Sequence, residues 1–354
     1  MDWNTTAGRL PASKAPNETI DPWSAEHTSV RAVFIILLTL ECAAMLCLFF
    51  GNTLVIVAFC RFSKVRKTMT NYFLFGLAVA DISFGLGSIF GVVEIHLGVW
   101  YNHKYTCLVN EALTVLSLHM TVFSLFGVAV DRLIAIAWPF FYPAIVTGKR
   151  VLVINIIAWI LFAAVASLPL FGVNNWDAAI GCFPFYVLKK NFLIVSASSS
   201  CVLLCITFGI YVYIFRVAKC HFESMVKDGV YRKSNGHKPS LTDLKAAKML
   251  LVIVAVFVVC WGTGFCTLGV VIGRRVSKTT SFILEFFTHI LLLLSSALNP
   301  LIYSLKSHEF RLAFQKLLRR GGVVNDHDLD STCTTRSSQS VVDANVVVKD
   351  DAKY

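Results

Sequence analysis

Long apolar segments alternate with short polar ones along this chain. Seven apolar stretches fall at roughly 32–60, 69–94, 104–138, 150–173, 191–218, 244–272 and 280–304. An apolar stretch of about 20 residues is long enough to cross a bilayer as a helix. Lipid offers no partner to an unpaired backbone group, so helices are the required form. The pattern changes after the seventh stretch. In "SLKSHEFRLAFQKLLRR" (304–320), Leu305, Phe310, Leu312, Phe314, Leu317 and Leu318 make an apolar side and basic residues supply the rest. That is expected of an amphipathic helix lying on a membrane surface. The predicted fold is an all-α membrane protein, a seven-transmembrane helix bundle followed by a short surface helix. Its parts are an outer segment 1–31, the bundle 32–305, the surface helix 306–320 and a disordered cytoplasmic tail 321–354.

Composition agrees. The 354 residues are 56% hydrophobic and 15% charged, and mean hydropathy is +0.68. A soluble domain of this size rarely reaches such values, because its surface must be wetted. Charge supplies the orientation. Arg61, Lys64, Arg66 and Lys67 follow the first span closely, whereas only Arg31 immediately precedes it. Lys149 and Arg150 lie before the fourth span, and Lys219, Lys227, Arg232, Lys233 and Lys238 between the fifth and sixth. Basic loops stay cytoplasmic, so the N-terminus is expected outside the plasma membrane and the C-terminus inside. Arg274, Arg275 and Lys278 run against the trend. The net charge of +11 is in part a topology signal and an attraction to anionic membrane lipids; it does not point to nucleic acid. No cleavable signal peptide is visible, so the first span would act as a signal anchor. Asn4 and Asn17 head N-x-S/T triplets, candidate glycosylation sites. "DSTCTTRSSQS" (330–340) is rich in hydroxyls and could accept phosphate; an unmodified tail is the alternative.

Most of the eleven cysteines lie in spans, where they act as small apolar residues. Cys107 and Cys182 instead face the outer, oxidising side, and on that ground they are paired as a disulfide. Sequence alone fixes no connectivity, so two free thiols stay open.

The sharpest local feature is "FSLFGVAVDRLIAIAWP" (123–139), with Asp131 and Arg132 adjacent in an apolar run. They fall at the cytoplasmic end of the third span. A snorkelling arginine is the structural reading. The other is a breakable ion pair from Arg132 to Asp243, which opens the sixth span on the same side, acting as a latch in a two-state bundle.

Seven spans with "DRLIAI" (131–136), "NPLIY" (299–303), Gly51-Asn52, "LAVAD" (77–81), Trp159 and "CW" (260–261) in this order resemble the rhodopsin-like family of G-protein-coupled receptors. The likeness covers roughly 32–320. "DRL" departs from the family's usual D-R-Y. Within the family the text is most similar to adenosine receptors: "MTNYF" (69–73), "YPAIVTGKR" (142–150), "PLFGVNN" (169–175), "GIYVYIF" (209–215), "DLKAAKMLLVIV" (243–254) and Glu41 carry it.

The resemblance implies a signalling receptor without a catalytic site or a required cofactor. It implies an extracellular ligand and a heterotrimeric G protein as partners, with receptor kinases and arrestin at the tail. The ligand residues of adenosine receptors do not carry over. Leu268 stands where they have an asparagine, Leu292 and Leu293 replace a Ser-His pair, and Pro184 replaces a stacking phenylalanine. Leucine cannot replace a hydrogen-bonding group without loss, so adenosine is not expected to be the agonist. Thr114 occupies the position of the aminergic aspartate, and no lysine lies between Thr280 and Leu305 for a retinal Schiff base. Leu203 and Thr263 stand where the fifth and sixth spans usually carry proline; loss of the fifth-span proline is also similar to cannabinoid, sphingolipid and melanocortin relatives, so lipid or peptide ligands, with high basal activity, stay open.

Glu111, Glu285 and His289 are expected near the outer mouth, with Glu41 deeper, preferably paired with His289. Intramembrane ionisable groups are costly and need partners; Glu111 and Glu285 could meet a cationic ligand, or merely Lys189, Lys190 or Arg274. Leu118, Phe183, Trp261, Phe265 and Leu268 would supply apolar walls. Deeper, Asn52, Asp81, Thr121, Ser295, Ser296 and Asn299 resemble the family's sodium site, with oxygen donors suited to a hard cation at Asp81; a plain packing network is the other reading. His119 has no role beyond a satisfied core residue. The implied mechanism is a population shift in which the Arg132–Asp243 latch opens, the sixth span swings outward, and Tyr211 and Tyr303, beside Asn299 and Pro300, support the open form. Two other classes are weaker: a transporter would show internal repeats, and an enzyme a clustered metal or nucleophile motif.

Overall fold

The computed structural model describes residues 28–97, 103–177, 182, 184–227, 257–271, 273 and 278–319. Its long helices are α1 (Thr28–Arg61), α2 (Thr70–Leu97), α3 (Lys104–Ala137), α4 (Gly148–Ser167), α5 (Lys190–Lys227), α6 (Phe257–Val271), α7 (Lys278–Lys306) and α8 (His308–Arg319). Among the described residues the only β pairing is an isolated bridge between Asn174 and Leu188. The chain divides into two units, Met1–Ala43 and Ala44–Tyr354; packing is described within the second.

Burial inverts the rule for soluble proteins. The bundle's polar residues point in and much of its apolar surface points out. Asn52, Asp81 and Ser124 are fully buried, whereas Leu152, Val153, Ile157, Ile160 and Leu161 of α4 are exposed. In water such a patch would be a liability; in hydrocarbon it is the matching face. α3 packs on α2, α4 and α5. Its apolar window is 56% buried against 22% for α4 and for α5, so α3 is the central post and the other two are lipid-facing.

Helix ends follow local chemistry. Thr147 caps α4 by accepting from the Arg150 backbone N–H at 3.4 Å. α4 exits through a 3-10 turn, Leu168–Phe171, opened by Pro169 and closed by Gly172 at φ +104°, a left-handed conformation that glycine adopts without penalty. α5 runs to Lys227, past the expected 218, because polar residues continue the helix with a Lys219–Glu223 contact at 3.7 Å. Residues 244–256 of the sixth span lie outside the described residues. Gly51 of α1 admits α7: a Cβ there would sit 2.8 Å from Pro300 Cγ.

α8 begins where Ser307 caps it, its Oγ accepting from Phe310 N at 3.3 Å and donating to Glu309 Oε2 at 2.7 Å. Its apolar side divides between the bundle and the surroundings. Phe310, Ala313 and Phe314 are buried against Val55, Phe59, Phe62 and Val65, whereas Leu318 is 61% exposed. The helix turns its strongest apolar residues to the bundle, so Leu318 belongs to the outward face.

Candidate functional site

At the end of the bundle that the charge pattern assigns to the cytoplasm, termed the inner rim, α2, α3 and the turn Tyr142–Ile145 converge on one carboxylate. Asp131 is 2% exposed. Thr70 at the start of α2 donates to Asp131 Oδ2 at 2.5 Å, and Tyr142 donates to Oδ1 at 2.7 Å. Arg132 Nε lies 3.5 Å from Asp131 Oδ2, and Arg132 Nη2 donates to the Thr70 hydroxyl. Thr70 thus relays between acid and base, accepting from one and donating to the other. Burial first, then the hydrogen bond to Asp131, pushes the Tyr142 phenol above its usual range, so it remains a donor. Arg150 steadies the turn by donating to Ala144 O and Ile145 O at 2.6 and 2.9 Å. Tyr211 of α5 is buried beside Ala129 and Ile214. Asp243 lies outside the described residues, as does the side chain of Tyr303.

The middle of the bundle holds the oxygen-rich network. Asn299 Nδ2 donates to Asp81 Oδ2 at 2.8 Å. Asn52 Nδ2 donates to Leu48 O and Ser296 O at 3.0 and 3.3 Å. Asp81 Oδ1 and Asn52 Oδ1 are buried without hydrogen-bond partners among the described residues. Thr121, Ser295 and Ser296 are buried as well, and Ser295 donates to Leu292 O at 2.7 Å. Leu118, Thr121, Trp261, Ser295 and Ser296 border a small cavity of about 10 Å³, room for about one water. Two orphaned oxygens on Asp81 and Asn52 fit a hard cation. No cluster of three His, Cys, Asp or Glu occurs among the described residues, so any ion here would lean on amides and hydroxyls.

In the outer half, Cys107 and Cys182 form a disulfide with Cα atoms 5.7 Å apart, packed with Leu108, Val187 and Trp176. Glu111 is 4% exposed. Glu285 buries Oε1 without a hydrogen-bond partner among the described residues. Thr267 of α6 and Thr288 of α7 join at 3.0 Å. The His289 ring lies 5.5 Å from that of Phe84. Trp261 stacks on Phe257 at 5.8 Å and tilts to Phe265 at 6.2 Å. Leu268 packs against the cluster of Val115, Ala166, Leu188 and Leu193, and the Thr114 hydroxyl faces Gly87 of α2. Glu41 is buried and belongs to the first unit. Phe183, Asn4 and Asn17 lie outside the described residues.

Comparison with known proteins joins these three levels. Residues 51–303 match the family described as 7 transmembrane receptor (rhodopsin family). The chain belongs to the rhodopsin family of seven-transmembrane receptors. It is 29% identical to adenosine receptor A2b of Gallus gallus over 84% of this chain and 91% of that receptor. It is also 29% identical to human adenosine receptor A2a over 80% of this chain and 72% of that one. Cannabinoid receptor 1 of Xenopus laevis is 27% identical over 80% of this chain and 64% of its own length. As a rhodopsin-family receptor the protein is a multi-pass membrane protein that signals through G proteins and is not an enzyme. In this receptor Leu293 is fully buried among Ala44, Met45, Leu48 and Phe84, with Leu292 beside them.

Sequence reasoning finds Asp131 and Arg132 but misses the roles of Thr70 and Tyr142. Both lie inside receptor-like motifs, "MTNYF" and "YPAIVTGKR", and both are hydroxyls at inner helix ends; that is the available signal. Arg150, read from sequence only as a topology charge, is in addition a clamp on the inner turn.

Proposed function

We propose that this receptor binds an extracellular ligand other than adenosine in the outer half of the bundle and passes the event inward as a population shift. The N-terminus is outside and the C-terminus inside. Ligand binding repacks the Trp261 region and the Asp81 network. Arg132 leaves the Asp131–Thr70 cluster and any contact with Asp243, and the sixth span moves outward to admit a G-protein helix, with Tyr211 and Tyr303 supporting the open form. A sodium ion held by Asp81, Asn52 and neighbouring hydroxyls would favour the closed form. The carrying observation is the Asp131 cluster, in which Thr70, Tyr142 and Arg132 gather on one buried carboxylate; parting as a unit would make it a two-state element. The relatives named for adenosine support the family, while Leu268, Leu292 and Leu293 argue against that ligand. The same leucines favour a second reading, a predominantly apolar ligand, in line with the cannabinoid-receptor likeness. Receptor kinases and arrestin would act on the hydroxyl-rich tail.

The test is a cell assay with several G-protein reporters, run with adenosine and with a ligand panel. Silence to adenosine and a response to another ligand are expected. Tight adenosine binding would overturn the ligand assignment, and terminal tags found on one membrane side would overturn the topology.

A further inference from the structure

Thr263 takes from the sixth span its usual means of bending. It stands where proline would, and its hydroxyl turns back on its own helix, donating to Cys260 O at 2.6 Å. Proline bends a helix by deleting a backbone hydrogen bond. Without it, α6 runs unbroken from Phe257 to Val271. A helix with no internal break moves as a rod. To swing, it must turn about a contact with a neighbour, and the contacts of α6 differ sharply along its length.

Inward, Phe257 and Trp261 are buried with Val122 of α3 and Leu204 of α5, and Leu292 of α7 packs at the edge. These contacts are apolar and non-directional. Trp261 Nε1 has no hydrogen-bond partner among the described residues, so nothing directional ties α6 down at this level. Outward, the contact changes character. Thr267 of α6 and Thr288 of α7 are 6% and 7% exposed, and their hydroxyls meet at 3.0 Å. One turn inward, Gly264 admits the α7 side chain: a Cβ there would sit 3.4 Å from Thr288 Cγ2. Among the described residues the Thr267–Thr288 bond is the one side-chain hydrogen bond from α6 to another helix. Within the bilayer such a pair has no water to exchange with. Sliding α6 along α7 breaks the bond within a fraction of an ångström, whereas turning about it does not.

We propose that the Thr267–Thr288 pair is the pivot of the sixth span. The pivot rests on the outward movement of that span proposed above and adds where the movement is anchored. Both threonines are positioning residues, holding the outer end of α6 against α7 while the inner end parts from the bundle. The arms on either side are unequal. At about 1.5 Å per residue, Val259 lies about 12 Å inward of Thr267 and Gly269 about 3 Å outward. A rod turning about Thr267 therefore displaces Val259 about four times as far as Gly269.

Val259, Gly269 and Ile157 of α4 are all exposed and can carry labels. The full chain in nanodiscs bears one spin label on a genetically encoded keto amino acid at Val259 or at Gly269, and a second at Ile157. Pulsed electron resonance reads each distance with and without a nucleotide-free heterotrimeric G protein. The Val259 distance should change about four times as much as the Gly269 distance. Thr267→Val and Thr288→Val should each bring the two changes within about twofold, because α6 can then slide. Thr267→Ser, which keeps the hydroxyl, should retain the difference, and the double valine change should add nothing to either single one. Equal changes in the unmodified receptor would overturn the pivot. So would a difference that survives Thr267→Val, which would place a bend inside α6 instead. No change at either label would refute the outward movement itself, and the pivot with it. Where the valine variants fail to fold, Thr267→Cys combined with Thr288→Cys decides. A disulfide between them should leave G-protein coupling within about twofold of that of the single-cysteine variants, since a pivot does not part; failure to close, or loss of coupling on closure, would overturn the assignment.

Discussion

Asp131 at the inner rim and Glu285 in the outer half are both carboxylates on membrane helices, and the bundle treats them in opposite ways. Asp131 has both oxygens engaged, by Thr70 and Tyr142, with Arg132 alongside. Glu285 keeps one buried oxygen without a hydrogen-bond partner among the described residues. A buried charge is costly unless it is paired. The inner end meets that cost from within the chain, as suits a closed switch. The outer end leaves it partly unmet, as suits a place where something else binds.

Breaking the inner end should have the largest effect. Asp131→Ala leaves Arg132 without its carboxylate and should cost about 3 kcal/mol, read as a fall in thermal midpoint in detergent, with higher ligand-free signalling in cells. Unchanged basal signalling would refute the switch. Thr70→Val removes the relay between acid and base and should cost about 2 kcal/mol, with a smaller rise in basal activity. Tyr142→Phe removes one donor and should cost about 1 kcal/mol. Its pH dependence has a definite sign. The phenol is held above its ordinary value of 10.0 by burial and by Asp131, so its contribution is present below that value and lost only as pH rises through the raised one. The difference from the unmodified receptor should therefore be flat from about pH 6 to 9, as thermal unfolding at several pH values would check. The outer end should give the smallest change. Glu285→Gln breaks no described hydrogen bond and removes a partly unmet carboxylate, so it should leave stability unchanged or raise it by up to about 1 kcal/mol, while lowering the potency of any cationic agonist in the ligand panel. A loss of stability would show that Glu285 has a structural partner, and the contrast with Asp131 would fail.

Much of this architecture is legible in the amino-acid order alone. The seven spans, the surface helix and the outer cysteine pair follow from hydropathy and compartment, and helix limits such as 104–138 against Lys104–Ala137 differ by one residue. The misses share a cause. Leu318 reads as apolar on a helical wheel, but which residues of that stripe touch protein depends on how α8 lands on Phe59 and Val65. Thr70 and Asp131 are 61 residues apart, and nothing in the spacing pairs them.

Sequence by itself determined how often the chain crosses the bilayer and which short motifs ride at the crossings. Lipid acts on each residue separately, demanding internal hydrogen bonds and apolar side chains over a set length, so a linear reading suffices. The tertiary structure alone decided which hydroxyl answers which carboxylate, and where two helices meet. Those outcomes turn on ångström distances between distant residues, because a hydrogen bond fades within a fraction of an ångström beyond its reach while hydropathy is indifferent to position on that scale.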